Sequence, residues 1–267
     1  MRQIILHGGV GSSTELSPLL NKYASFSINY EKPLDAVVAA VKYMEDDLNF
    51  NAGTGSVMRL DGSIQMDASV MIEGNFGAVI GIEFVKNPVQ VAREVMETSP
   101  HVMLCSDGAT RFAREKGHPY YDPGTDRARK RLEEAKVVAS KDPRFLFSNP
   151  KTVDTVGAVA NFDGEIAAAL STGGSSPMMR GRVGDTPIPG SGILVKKGFG
   201  IAATGVGEEI IRRQLSYDLY CERDRLEEEW KSIADNSPFS LGVVGFNGEK
   251  SFVLANRSMA SGYAKVD

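Results

Sequence analysis

Residues 153–174 read Val153-Asp154-Thr155-Val156-Gly157-Ala158-Val159-Ala160-Asn161-Phe162-Asp163-Gly164-Glu165-Ile166-Ala167-Ala168-Ala169-Leu170-Ser171-Thr172-Gly173-Gly174. Two apolar runs, 156–160 and 166–170, flank Phe162-Asp163-Gly164-Glu165, and Asp-Gly supplies the positive φ angles of a two-residue hairpin turn. The stretch predicts an antiparallel hairpin with a hydroxyl near each open end, Thr155 on the outgoing arm and Thr172 on the return. Hairpin return can bring the two hydroxyls together.

The same rule predicts two more hairpins. Asp61-Gly62 joins 57–60 to 63–70, and Phe246-Asn247-Gly248-Glu249 joins 242–244 to 252–255. Ile4, Ile5 and Leu6 read as a short buried strand entering a glycine-rich turn, His7-Gly8-Gly9-Val10-Gly11. An amphipathic helix starts at Pro33, because proline suits the first helical turn and Leu34, Val37, Val38, Val41 and Met44 recur at helical spacing. Further helices are signalled at 88–98 behind Asn87 as a cap, and at 107–116, 127–140, 208–220 and 223–234. Hairpins in both halves with helices in pairs between them argue for an α+β protein of stacked antiparallel sheets covered by helices. The stretch 119–150 is charged, holds Pro123, Pro143 and Pro150, and reads as a mobile linker carrying one helix.

The chain has 267 residues, 42% hydrophobic and 24% charged, which suits a soluble globular protein with a sizeable core. Its net charge of −4 comes from 30 basic and 34 acidic residues mixed along the sequence. The basic stripe that a nucleic acid or an anionic membrane requires is missing, so a small molecule or a peptide is the expected partner. Cys105 and Cys221 stand in no disulfide framework or metal-binding spacing, which suggests a reducing compartment. The N-terminal apolar run is too short for a signal peptide and no later segment is long and apolar enough to span a bilayer. A cytoplasmic location is expected.

Three motifs follow Thr155 within about fifty residues: Ser171-Thr172-Gly173-Gly174, Gly181-Arg182-Val183-Gly184-Asp185, and Ala203-Thr204-Gly205-Val206-Gly207-Glu208. They are rich in hydroxyls and glycine and contain no His or Cys cluster, which points to hydrolysis by a threonine nucleophile. A threonine hydroxyl is a poor nucleophile until its proton is removed, and an N-terminal threonine can use its own α-amine for that. Arg182 and Asp185 suit an amino-acid substrate, the guanidinium gripping an α-carboxylate and the carboxylate accepting from an α-ammonium. Thr204 and Gly205 offer a hydroxyl and an amide to the oxygen of a tetrahedral intermediate. Blander readings exist for each: a strand threonine, a strand-end hydroxyl serving a turn amide, a surface salt bridge. A phosphate cradle at Gly205-x-Gly207 is weak, since the third glycine of that pattern is Ile210 and Glu208-Glu209 repel phosphate. His7-Gly8-Gly9 lacks the Gly-x-Ser-x-Gly elbow of an α/β-hydrolase.

The order and wording of the four motifs resemble the plant-type asparaginase, isoaspartyl peptidase and glycosylasparaginase family, N-terminal nucleophile hydrolases that cut themselves just before a threonine. The likeness runs from Ile4 to about Ala264 and favours the catalytic readings over the bland ones. It implies a four-layer αββα sandwich, one domain over 1–267, and self-cleavage between Asp154 and Thr155 into 1–154, carrying the linker 119–154, and 155–267. It implies that Thr172 hydrogen-bonds the nucleophile and that Asn51 supports the freed amine. The segment Met44-Glu45-Asp46-Asp47-Leu48-Asn49-Phe50-Asn51-Ala52-Gly53-Thr54 resembles one whose carbonyls wrap a structural sodium ion. Those of Met44, Glu45, Asp47, Phe50, Ala52 and Thr54 would be the ligands, while an ordinary helix end before a glycine turn reads equally well. No cofactor is expected for catalysis, and the assembly implied is a homodimer of cleaved protomers.

The activity implied is hydrolysis of the side-chain amide of L-asparagine and of β-aspartyl dipeptides. Glycosylasparaginase-type cleavage, which Asp154 before the threonine suits, and a non-maturing amino-acid-binding relative are the alternatives. Departures from the family pattern are Met178 where lysine is usual, Leu170 for Thr or Ser, Val153 for glycine or histidine, and a short linker. Met178 turns the pocket rim from cationic to apolar and bears on the leaving group.

Overall fold

The computed structural model describes residues 1–141, 155–176 and 178–267. Asp154 and most of the stretch just before it, hence the leaving side of the expected cut, lie outside the described residues. The fold is α+β. One sheet contains seven strands in the order β11 (Met259–Val266), β1 (Arg2–Val10), β5 (Val156–Phe162), β6 (Glu165–Thr172), β2 (Met66–Ile72), β3 (Asn75–Ile82) and β4 (Met103–Cys105). A second contains four, in the order β10 (Lys250–Ala255), β9 (Leu241–Asn247), β8 (Phe199–Gly205) and β7 (Ile193–Lys196). Among these described strands every pairing is antiparallel except β3 with β4.

Helices α1 (Ser17–Ser27), α2 (Pro33–Glu45), α3 (Pro88–Thr98) and α4 (Ser106–Glu115) pack on the larger sheet, α2 directly over β5 and β6. Helices α6 (Gly207–Arg213) and α7 (Leu215–Cys221) pack on β8, and α8 (Leu226–Asn236) packs on α7. Helix α5 (Asp126–Lys141) lies within the expected linker. The two sheets meet face to face through β5 and β6 against β8, and β1 against β9. Successive strand residues point to opposite faces. Val156, Ala158 and Ala160 accordingly join the core under the helices, while Val159, Ala168 and Leu170 join the core between the sheets. By the same alternation Thr155 and Thr172 share the inter-sheet face. β5 is buried on both sides, which is why it reads as a nearly continuous apolar run.

The hairpins at Asp163-Gly164 and Gly248 form where the turn chemistry predicts them, with Asp163 at φ 53°, Gly164 at φ 93° and Gly248 at φ 60°. The one expected at Asp61-Gly62 does not. Its turn closes, the Arg59 amide donating to the Ser63 carbonyl at 2.8 Å, but 57–60 is no strand because the Leu60 amide bonds the Met178 carbonyl instead. Residues 66–72 pair with β3 across Glu73-Gly74, and β7 joins β8 across Lys197-Gly198, both unanticipated. The helix read over 208–220 breaks at Gln214, which is left-handed at φ 51°, and that over 223–234 begins as a 3₁₀ turn. Helix α1 was not anticipated. Its buried Leu20 and Ala24 recur at helical spacing, and Pro18 sits in its first turn.

Candidate active site

Thr155 immediately precedes β5 and Thr172 ends β6, so the register that pairs Val156 with Ser171 brings their hydroxyls side by side. Thr155 donates to the Thr172 oxygen at 3.3 Å, and Thr172 also accepts from the Gly174 amide at 2.9 Å. Both threonines are buried. They line a small, tight cavity together with Gly174, Ser175, Arg182, Asp185 and Gly205. Residues from three separate motifs thus reach one space beside a hydroxyl pair. The roomier surface grooves, at 223–228 with 247–252 and at 106–111 with 180–181, contain none of these groups.

Gly205 closes β8 at φ 148°, and a Cβ there would stand 2.3 Å from the Ser240 carbonyl, so only glycine fits. Thr204 is fully buried and does not line the cavity; its oxygen accepts from the Val10 amide at 3.2 Å, which leaves its proton free to donate. Asn51 grips the Gly173-Gly174 turn. Its side-chain amide donates to the Gly174 carbonyl, its side-chain oxygen accepts from the Val57 amide at 3.0 Å, and its carbonyl accepts from the Gly173 amide at 2.9 Å. Asn51 therefore reaches the Thr172 turn rather than bonding Thr155 in the described contacts.

Asp185 is buried with one carboxylate oxygen unpartnered, and burial pushes its pKa up to about 7 against the pull of the Arg182 charge. Arg182 extends beside it and pairs with Glu208, Nε to Oε1 at 2.9 Å and Nη2 to Oε2 at 2.8 Å. In the sequence Glu208 closes the fourth motif, starts a helix and repels phosphate, with no part in holding Arg182. Spacing alone held no signal for this pair, because the two motifs meet only once β8 and α6 are in place.

Two further buried groups stand behind the threonines. His7, on β1 opposite Gly157, is fully buried with both ring nitrogens lacking a well-formed hydrogen bond, and burial drives its pKa down to about 3 against the pull of the Thr155 backbone. A Cβ on Gly157 would stand 2.3 Å from the His7 Nε2. Met178 is buried rather than on an open rim. Its sulfur touches the guanidinium of Arg59, a fully buried cation that the sequence did not single out.

In the segment 44–54, the Glu45 carbonyl accepts from the Thr54 amide at 2.9 Å and the Asp47 carbonyl from the Phe50 amide at 3.2 Å. A Cβ on Gly55 would stand 2.0 Å from the Phe50 carbonyl oxygen and 3.7 Å from that of Asp47, and one on Gly53 2.4 Å from that of Glu45. Carbonyls crowd this loop's inner side. Among the described residues no cluster of three His, Cys, Asp or Glu side chains could hold a metal, and no helix is long and apolar enough to cross a membrane.

The asparaginase family model matches residues 4–262. The plant-type L-asparaginase of Pyrococcus furiosus is 43% identical over 238 residues, 81% of this chain and 78% of its own. That of Thermococcus kodakarensis is 42% identical over 294 aligned positions, 99% of this chain and 96% of its own. The isoaspartyl peptidase/L-asparaginase of Bos taurus is 44% identical over 221 residues, 78% of this chain and 68% of its own. With four motifs converging on one cavity and a family match spanning nearly the whole sequence, the chain belongs to the asparaginase family of amide hydrolases.

Proposed function

We propose that this protein hydrolyses the side-chain amide of L-asparagine and the isopeptide bond of β-aspartyl dipeptides, with Thr155 as nucleophile after self-cleavage between Asp154 and Thr155. The observation that carries the reading is the pair of buried hydroxyls, Thr155 donating to Thr172 at 3.3 Å, on a cavity shared with Arg182, Asp185 and Gly205. The aspartyl part of the substrate lies with its α-carboxylate on Arg182 and its α-ammonium on Asp185. The freed Thr155 amine takes the proton from its own hydroxyl as the oxygen attacks the β-carbonyl. The Gly205 amide, on the cavity wall, donates to the developing oxyanion, and the Thr204 hydroxyl turns toward it from the buried position next door. Ammonia or an amino acid leaves, and water then releases aspartate from the Thr155 ester.

The relatives' names support both substrates. Sugar-linked asparagine shares the aspartyl part, and its use is separable by competition. We read the architecture as a single four-layer αββα domain of the N-terminal nucleophile type, supported by helices on the outer faces of two sheets in contact. The carbonyls of Met44, Glu45, Asp47, Phe50, Ala52 and Thr54 would hold a sodium ion that stiffens the loop carrying Asn51; such an ion supplies no chemistry to the reaction. Cleaved protomers associate as a homodimer in this reading.

The test is a denaturing gel with N-terminal sequencing. Two fragments, the smaller starting at Thr155, are expected, and Thr155→Ala should stay whole and inactive. An active enzyme that remains one chain would overturn the mechanism.

A further inference from the structure

Arginine carries five donors in a planar fork with two edges that match a carboxylate: Nε with one terminal nitrogen, and the two terminal nitrogens together. The Glu208 carboxylate fills the first of these edges on Arg182, accepting from Nε at 2.9 Å and Nη2 at 2.8 Å. Arg182 lines the catalytic cavity and Glu208 does not. Two glycines make room for the fork. A Cβ on Gly184 would stand 2.8 Å from Nη1, and one on Gly207 would stand 2.8 Å from Nη2 and 2.9 Å from the Asp185 Oδ1. Glu208 itself is fixed in the first turn of α6, the helix that follows Gly205.

From this geometry we infer that Glu208 is a positioning residue, which locks Arg182 by its Nε edge and so reserves the Nη1–Nη2 edge for the substrate's α-carboxylate. Rotation about the last side-chain bonds would otherwise let the guanidinium present either edge, or fold toward Asp185 and occupy the group meant for the α-ammonium. Glu208 suppresses both. It also sets a rule of selection: the Nη1–Nη2 edge takes one carboxylate, and the carboxylate that holds the other edge belongs to the protein. The inference rests on Arg182 as the carboxylate anchor in the function proposed above.

Competitive inhibition of the processed enzyme separates the two. The probes are L-aspartate and β-alanine, which is aspartate without its α-carboxylate. Glu208→Ala should weaken L-aspartate about tenfold or more, as loss of a charge-assisted anchor does, and leave β-alanine nearly unchanged. Arg182→Ala should do the same, and the double variant should be no worse than Arg182→Ala alone, because Glu208 acts only through Arg182. Equal weakening of both inhibitors by Glu208→Ala, or losses that multiply in the double variant, would overturn the positioning role. If β-alanine binds too weakly to measure, the cycle on L-aspartate decides. If Glu208→Ala does not mature, Glu208→Gln, which keeps the shape and one acceptor, takes its place in the same cycle. Unchanged L-aspartate inhibition in Arg182→Ala would remove the anchor itself, whereas a loss there with none in either Glu208 variant would remove this inference alone.

Discussion

At Thr155 the question of which group serves as base is narrowed by its neighbours. His7 lies closest among the histidines, yet burial holds its pKa near 3, so it stays neutral through the working range and is too weak a base to take a hydroxyl proton. His118 is committed to Glu94 at 2.9 Å, and His101 is exposed. Replacing His101 and His118 together should leave the pH profile in place, while His7 is unsuited to that test because its ring fills the space opposite Gly157. Asp185 is a second source of pH dependence. Its pKa of about 7 means that it takes up a proton as the solution becomes mildly acidic, and the neutral acid no longer accepts from an α-ammonium as an anion does. KM should therefore rise as pH falls through about 7, and Asp185→Asn should flatten that rise while the limb belonging to the amine persists in kcat. Steady-state kinetics across the neutral range would detect it; an unchanged KM profile in the variant would exclude Asp185 from ammonium recognition. Arg182→Lys should lose at least about tenfold in kcat/KM, since a point-charge ammonium cannot serve Glu208 and a substrate carboxylate in one plane.

Between elements, β1 and β5 approach closely over Gly157, whose Cβ would meet both the His7 Nε2 at 2.3 Å and the Leu170 Cδ2 at 2.6 Å. Gly157→Ala should cost about 1–3 kcal/mol, as overpacked cores do, and should slow processing by shifting Thr155 two residues away; thermal unfolding and a maturation time course would report each. Close approaches of this kind were invisible in the sequence, which marked Gly157 only as part of an apolar run. What was legible followed local chemistry. Asp163-Gly164 and Asn247-Gly248 dictate their turns, and Pro33 and Pro88 mark helix starts that the structure reproduces. Asp61-Gly62 makes its turn as well, Arg59 bonding Ser63 across it, but Leu60 bonds Met178 and no ladder grows from the turn, because pairing is decided by distant partners. The candidate site was legible as a set of motifs since each is local, whereas the Arg182–Glu208 pair and the seat of Asn51 on the Gly173-Gly174 turn arise from contacts between motifs. Met178 shows the same limit: the sequence reads it as an apolar pocket rim, and the structure buries it against Arg59.

Across the whole molecule the two segments flanking the expected cut are interleaved. β5 and β6 lie between β1 on one side and β2 on the other, and β11 caps the edge beyond β1. Cutting before Thr155 breaks one bond and none of these ladders, so the fragments should co-elute under native conditions and separate only in denaturant. Stability should depend on pH through the carboxyls that this burial shelters. Glu45, at the end of α2 and beneath α3, accepts from the Val89 amide at 3.0 Å, yet burial dominates and pushes its pKa from the ordinary 4.5 up to about 8. A carboxyl whose pKa is raised by folding keeps its proton in the native state and loses it in the unfolded chain. Its contribution is therefore fully present below about pH 4.5 and disappears as pH rises through about 8. Asp185 works in the same direction over a window that ends near pH 7. Unfolding free energy should fall as pH rises through neutrality, and Glu45→Gln, which carries no proton to lose, should reduce that slope. The uncut Thr155→Ala chain is the appropriate host, since a cleaved protein unfolds into two pieces and its midpoint then varies with concentration. Urea unfolding of Thr155→Ala with and without Glu45→Gln, repeated at several pH values, measures the difference, and parallel curves would mean that Glu45 is already ionised in the folded protein.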